Sequence, residues 1–112
     1  MNLQDLVKEL DMKVMSGDEF LDRDVTGGYT SDLLSDVMAK ASEGNVWITI
    51  QTHQNVVAVA SLLGLSAVIM SNGMQPDNST LEKAKKGEVP ILTSEWPSFQ
   101  LSAKIFNLLG QE

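Results

Sequence analysis

The sequence predicts an α/β fold in which a mostly parallel sheet lies between two layers of helices. From Thr26 onward, short runs of strand-like composition alternate with segments whose apolar residues recur at helical spacing. This alternation is typical of parallel strands joined by helical crossovers. Residues 67–70 are almost continuously apolar, as expected for a strand that helices cover on both faces.

Five segments have the composition of strands. Residues 46–50 are β-branched and aromatic, which is typical of a buried strand. Residues 24–29 predict a strand that ends in a turn at Gly27 and Gly28, because glycine accepts backbone conformations that other residues avoid. In chain order the predicted strands are residues 13–15, 24–29, 46–50, 67–70 and 91–93.

Helices are expected before and between these strands, at about residues 3–10, 33–38, 55–63, 79–86 and 99–109. Polar residues at their starts are placed to cap them: Asn2, Thr30 or Ser31, Asn55, and Ser79 paired with Glu82 in a capping box. Gly64 and Gly87 are placed to end the third and fourth helices.

Composition narrows the function classes. A chain of 112 residues fits one compact domain, and the absence of cysteine excludes disulfides, thiolate catalysis and cysteine-bound metal. A net charge of −7 opposes binding to nucleic acid. No apolar run reaches the roughly 18 residues of a membrane span, and the first residues lack a signal-peptide pattern, so a cytoplasmic protein without a membrane partner is expected. No metal or other cofactor is expected.

Residues 24–28, Asp-Val-Thr-Gly-Gly, resemble the signature of the DRTGG domain family, with Val25 in place of the arginine that gives the family its name. Residues 28–38, 46–53 and 87–92 are similar to later segments of small stand-alone members. The resemblance covers nearly the whole chain, so residues 1–112 are identified as a single DRTGG-like domain.

The resemblance implies a three-layer α/β/α fold like that of the non-catalytic N-terminal domain of HPr kinase/phosphorylase. Similar domains lie beside CBS domains in pyrophosphatases, where the paired region binds adenine nucleotides, and in the N-terminal region of phosphotransacetylases. In none of these is the domain itself the catalyst. The P-loop pattern G-x-x-x-x-G-K-[ST] is absent, so the kinase activity of the HPr enzyme does not carry over.

A ligand site is expected at the carboxyl ends of the predicted strands, where open parallel sheets bind ligands. Paired glycines let backbone N–H groups approach an anion, and Tyr29 is placed to stack on a base. The predicted ligand-binding residues are Thr26, Gly27, Gly28, Tyr29, His53 and Asn72. The alternative is that these polar segments only cap helices.

His53 is the only histidine, and a general-base role with Asp24 or Asp32 defines a third interpretation, a small enzyme. No second ligand or orienting partner is visible beside it, and no nucleophile-elbow pattern is present, so no catalytic residue is assigned. A structural role for His53 is favoured.

Residues 55–63 are apolar on every side of the predicted helix, whereas an outer helix of a small domain should expose one face. A second copy of the chain would cover that face, with the small residues Ala58 and Ala60 as the expected dimer contact. The alternative is that the alanines leave an ordinary exposed patch.

The resulting hypothesis is a non-catalytic regulatory or dimerisation module that senses an adenine nucleotide or another phosphorylated metabolite. The alternative is a ligand-free adaptor that docks on a redox or metabolic enzyme complex. Stand-alone relatives encoded beside hydrogenase-like enzymes suit that second interpretation.

Overall fold

The computed structural model describes residues 1–110, which form one five-stranded sheet between two helical layers. The strands are β1 (Lys13–Ser16), β2 (Gly27–Thr30), β3 (Asn45–Thr49), β4 (Ala67–Met70) and β5 (Ile91–Thr93). The helices are α1 (Leu3–Leu10), α2 (Leu34–Lys40), α3 (Asn55–Leu63), α4 (Asn78–Gly87) and α5 (Ser98–Leu108), with a turn of 3₁₀ helix at Asp18–Phe20.

The strand order is β1-β5-β4-β3-β2. Strands β2 to β5 are parallel, with Gly28 opposite Val46 and Val46 opposite Ala67. Only β1 is antiparallel; it pairs with β5, with Lys13 opposite Thr93. The predicted α/β class with a mostly parallel sheet is therefore confirmed.

Two separate apolar cores account for the three layers. Successive side chains of a strand point to opposite faces of a sheet. On β3, Trp47 joins the core under α2, α3 and α4, whereas Val46 and Ile48 join the core under α1 and α5. β4 alternates in the same way, and its four residues are all buried, which explains the continuous apolar run in the sequence.

The predicted helix ends are partly confirmed. Asn2 caps α1 in a capping box with Asp5, and Gly64 ends α3 in the left-handed conformation. Helix α4 ends at Gly87 as predicted. The predicted caps at the starts of α3 and α4 are wrong: Asn55 is the first residue of α3, and Ser79 lies inside α4, which begins at Asn78 without a side-chain cap. Asn55 and Ser79 both lie in the first turn of their helices, so these short polar side chains indicated the helix starts to within one or two residues.

The predicted Gly27-Gly28 turn is also wrong. Both glycines lie within β2, opposite Asn45 and Val46, and neither has a positive φ. The strand continues to Thr30, and α2 follows only after Leu33, whose amide donates to the hydroxyl of Ser31. Pairing with β3 overrides the local turn preference of two glycines, because each ladder bond satisfies a backbone group that the edge of the sheet would otherwise leave open.

Candidate functional site

The loops that follow β2 to β5 meet at one edge of the sheet, here called the carboxyl edge. It consists of residues 31–33, 50–54, 71–77 and 94–97. Helices α2 to α5 begin there, so their positive dipole ends lie at the same edge. Open α/β sheets bind ligands at this edge.

Asp32 joins the first two loops of the carboxyl edge. Its Oδ1 accepts hydrogen bonds from the Thr49 hydroxyl and the Ile50 amide, both at 2.9 Å. Its main-chain oxygen accepts from the Gln51 side chain at 3.1 Å. The carboxylate is thus held against the end of β3, where it orders the backbone.

The remaining loops are joined in the same manner. The carbonyl of Thr52 accepts from the buried hydroxyl of Thr80 at 2.7 Å, which ties the β3–α3 loop to α4. The amide of Asn72 donates to the carbonyl of Trp96 at 2.8 Å, which ties the β4–α4 loop to the β5–α5 loop. These hydrogen bonds hold the loops of the carboxyl edge to one another.

A cavity of about 210 Å³ remains beside His53, lined by Leu34, Gln51, His53, Asn55 and Val56. Here it is called the His53 cavity. Ligand pockets usually measure about 300–1,000 Å³, so this one has room for a phosphate group or part of a nucleotide. His53 is exposed, and α3 begins at the cavity without a side-chain cap. The amides of Val56 and Val57 already donate to the carbonyls of His53 and Gln54, so the imidazole is the donor available to an anion, with the helix dipole as support.

The structure separates the predicted ligand-binding residues into two groups. His53 and Asn72 lie on adjacent loops of the carboxyl edge, whereas Thr26 lies before β2 at the opposite, amino edge. Strands β2 and β3 are four and five residues long, so the two edges are about 13–17 Å apart. One small anion cannot contact both groups.

Thr26 and the glycines support the sheet. The Thr26 amide donates to the carbonyl of Gly44 at 3.0 Å, and its hydroxyl donates to the carbonyl of Glu43 at 2.9 Å. Asn45 donates to the same hydroxyl at 3.2 Å. Gly27 is buried, and Gly28 lies against Val46. The signature residues thereby anchor β2 to the start of β3.

Tyr29 binds α2. Its hydroxyl donates to Oδ2 of Asp36 at 2.9 Å, and its ring packs against the core under α2 to α4. The hydrogen bond to the carboxylate, followed by burial, raises the pKa of Tyr29 above its usual range. The same bond lowers the pKa of Asp36, with smaller contributions from Ser31 and Lys40. Tyr29, which was predicted to stack on a base, is therefore half-buried and bonded to α2.

A larger cavity, of about 370 Å³, lies at the amino edge, where the sequence patterns predicted no site. Asp24, Glu43 and Glu88 line it, and Arg23 donates there to the carbonyl of Glu88 at 3.0 Å. Helices α3 and α4 end at this cavity, so their negative dipole ends add to the carboxylates. Recurrent glycines before the strands (Gly44, Gly64 and Gly87) were the available sequence signal. The electrostatics favour cations here and oppose phosphate.

Neither acid partner considered for His53 is free to act with it, although Asp32 lies on the same carboxyl edge. Asp24 lies at the amino edge, and the Asp32 carboxylate is held by Thr49 and Ile50. Within residues 1–110 no three metal-binding side chains of the His, Cys, Asp or Glu type lie close enough to share an ion. In the same part of the chain, no helix has the length and apolar character needed to cross a bilayer.

The two residues of the predicted dimer contact differ in exposure. Ala60 is 1 % exposed and belongs to the core under α2 to α4, so it has no surface to offer a second copy. Ala58 is exposed, and Leu62, one turn later, is 71 % exposed. The outer face of helix α3 therefore combines the small side chain of Ala58 with the large, exposed apolar side chain of Leu62.

These features define a three-layer α/β module with polar, mutually bonded loops at its carboxyl edge. The chain belongs to the DRTGG domain family, whose model matches residues 5–108. No curated protein sequence matches the chain.

One similar solved structure contains the CBS and DRTGG domains of the regulatory region of Clostridium perfringens pyrophosphatase, complexed with the activator diadenosine tetraphosphate. It superimposes with a TM-score of 0.71 at 21 % sequence identity, over 93 % of this chain. The match covers 45 % of that structure's chain, so the present chain corresponds to less than half of it. The likeness confirms the fold.

Proposed function

We propose that this chain is a cytoplasmic, non-catalytic regulatory module that works as a homodimer and senses an adenine nucleotide or another phosphorylated metabolite. The observation that carries the proposal is membership of a domain family that also occurs in the regulatory region of a pyrophosphatase. That region is complexed with a dinucleoside polyphosphate. The proposal carries over the class of ligand and the regulatory role.

The His53 cavity is the proposed phosphate site. At the carboxyl edge, the His53 imidazole can donate and the α3 N-terminus adds a positive dipole end, whereas the amino-edge cavity has three carboxylates and two helix C-termini. The cavity is too small for a whole nucleotide, so the base and ribose would extend along the exposed loop toward Asn72. A net charge of −7 weakens the attraction of phosphates, so micromolar affinity is expected.

The first experiment is a thermal-shift series with AMP, ATP, diadenosine tetraphosphate and inorganic phosphate. A ligand that binds only the native state raises the Tm by mass action. At a ligand concentration of 100 times the Kd, the free energy of unfolding rises by about 2.7 kcal/mol. Amide chemical-shift mapping of the wild-type protein should then place the changes at Gln51, His53, Asn55 and Val56.

His53→Ala should weaken binding at least tenfold without unfolding the protein, because the His53 side chain is exposed. Gln100→Ala, an exposed change on α5, is the matched control and should leave binding unchanged. Shifts that cluster at the amino edge would move the site. No Tm change and no shifts at millimolar ligand would refute the sensing role.

The second candidate function is a ligand-free adaptor. The observation that favours it is the number of large apolar side chains on the surface, among them Leu62 at 71 % and Phe99 at 84 % exposure. Such patches commonly mark protein interfaces. The nucleotide series separates the two functions, because an adaptor of this kind gives no ligand-dependent Tm change.

The homodimer is proposed to form through α5 instead of α3. Phe99, Ala103 and Phe106 lie on one face of α5 at spacings of four and three residues. Phe99 and Phe106 are 84 % and 45 % exposed. No charged residue lines this face, so two copies can meet across a twofold axis without like charges opposing.

A further inference from the structure

Helices α3 and α4 lie side by side on one face of the sheet and leave a groove between them, here called the α3–α4 groove. Its lining includes Val57, Ala58, Ser61, Leu62, Lys83 and Lys86, and its volume is about 550 Å³. It shares no lining residue with the His53 cavity, and it meets the acidic amino-edge cavity at Ser61 and Gly87. Leu62 is 71 % exposed, so the α3 wall presents a large apolar side chain to solvent.

The α4 wall of the groove carries positive charge. The whole chain has 8 basic and 15 acidic residues, yet Lys83 and Lys86 lie three residues apart on the same side of α4. The ion pair found within residues 1–110 is Lys40–Asp36, so neither groove lysine has a carboxylate partner there. One wall is therefore apolar and neutral, and the facing wall is basic.

We propose that the α3–α4 groove docks an acidic amphipathic helix of a partner protein. Both helices connect parallel strands and therefore run in roughly the same direction. With nine and ten residues they are about 14–15 Å long, enough to hold two to three turns of a third helix. Apolar residues of that helix at i, i+3 and i+7 cover Ala58 and Leu62.

Charge complementarity selects this occupant. Lys83 and Lys86 are one turn apart, which matches carboxylates spaced three or four residues apart on the partner helix. A second copy of this chain is a poor occupant, because a twofold contact through the groove would bring the same lysines near one another. The acidic helix α1 cannot serve from another copy, since its apolar residues Leu3 and Leu6 are fully buried.

The groove is tested with two synthetic, dye-labelled helical peptides of about 16 residues. Both carry leucine at i, i+3, i+4 and i+7; one carries glutamate beside the leucines, and the other carries lysine at the same positions. Fluorescence anisotropy should show micromolar binding of the glutamate peptide and at least tenfold weaker binding of the lysine peptide. Added salt should weaken the first interaction.

Two variants test the assignment to this groove. The double variant Lys83→Glu, Lys86→Glu should bind the lysine peptide more tightly than the glutamate peptide. Leu62→Glu should lower the affinity for the glutamate peptide at least tenfold. All three positions are exposed, so the fold should persist. Lys8→Glu combined with Lys13→Glu is the matched control, since it changes the net charge equally at exposed positions outside the groove, and it should keep the original preference.

The proposal fails if the glutamate peptide does not bind at 1 mM, or if both peptides bind equally. It also fails if the control pair reverses the preference as the groove pair does, because net charge alone would then explain binding. These results are independent of the nucleotide series, in which no peptide is present.

Discussion

At the residue scale, Gly44 and Gly28 differ in whether the backbone requires a glycine. Gly44 has a φ of +82°, and a Cβ there would lie 2.6 Å from Cγ2 of Thr26. Gly28, in the family signature, has extended backbone, and a Cβ there would meet Val46 Cγ2 at 3.5 Å, an ordinary contact. Of these two positions, Gly44 therefore requires glycine, whereas Gly28 has room for a Cβ atom.

Gly44→Ala is expected to destabilise the protein by at least about 1–3 kcal/mol, because it combines backbone strain with a clash. Gly28→Ala should be neutral or stabilising by about 0.5 kcal/mol, since alanine loses less backbone entropy than glycine on folding. Urea unfolding of both variants measures the difference. A loss at Gly28 as large as that at Gly44 would contradict this account of the signature.

At the element scale, strand β2 and helix α2 are held together by side chains as well as by packing. Tyr29 on β2 donates to Asp36 on α2, and Trp47 of β3 donates to the carbonyl of Ser31 between them at 2.8 Å. Trp47 is completely buried, so its indole N–H needs this acceptor. The edge strand is thereby fixed to the rest of the sheet.

Tyr29→Phe should lower stability at neutral pH and raise the pKa of Asp36 toward its ordinary value of 3.8. In the wild type the pKa of Asp36 is lowered, so its stabilisation is present above about pH 3.8 and is lost as pH falls through the folded pKa. The pKa of Tyr29 is raised from 10.0, so its stabilisation is present below pH 10 and is lost as pH rises further. The difference between wild type and variant should therefore be largest between these limits.

Carbon-detected NMR titration of the Asp36 carboxyl and urea unfolding at pH 3 and pH 7 measure these effects. Asp36→Asn is the control background, because it has no carboxylate for Tyr29 to bond. In this background, adding Tyr29→Phe should change stability equally at both pH values. An unchanged Asp36 pKa in Tyr29→Phe would show that Ser31 and Lys40 alone set it.

At the scale of the whole molecule, three exposed surfaces are assigned to three kinds of contact. The His53 cavity is proposed for a phosphorylated ligand, the α3–α4 groove for an acidic helix, and the uncharged face of α5 for a second copy. The Nζ atom of Lys104 on α5 lies 4.3 Å from the centroid of the Trp96 ring, and Lys104 does not line that face.

Light scattering at about 100 µM protein should therefore report a dimer, and Phe99→Glu should convert it to a monomer, because two buried carboxylates would lack partners. Ala58→Glu, an exposed change on α3, is the matched control and should leave the dimer intact. A monomeric wild type refutes the dimer. If Ala58→Glu is monomeric and Phe99→Glu stays dimeric, the dimer contact lies on α3 and not on α5.

Local sequence determined the kinds of elements in this protein. Leu3 and Leu6 recur at helical spacing because α1 buries one stripe of its surface. The four residues of β4 are all apolar because helices cover both faces of that strand. Each pattern is visible within a few residues of sequence. The alternation of these elements was sufficient to predict a mostly parallel sheet in an α/β fold. The Asn2 cap was predictable for the same reason, since its partner Asp5 is three residues away.

Tertiary structure alone decided which residues share an edge or a face. Thr26 and His53 were both predicted to lie where a strand ends, but pairing with β3 draws Gly27 and Gly28 into a strand and sets the two residues at opposite edges. Ala58 and Ala60 are chemically identical, yet the packing of α3 on the sheet buries one and exposes the other. Such choices depend on contacts between residues far apart in the chain, which local periodicity does not encode.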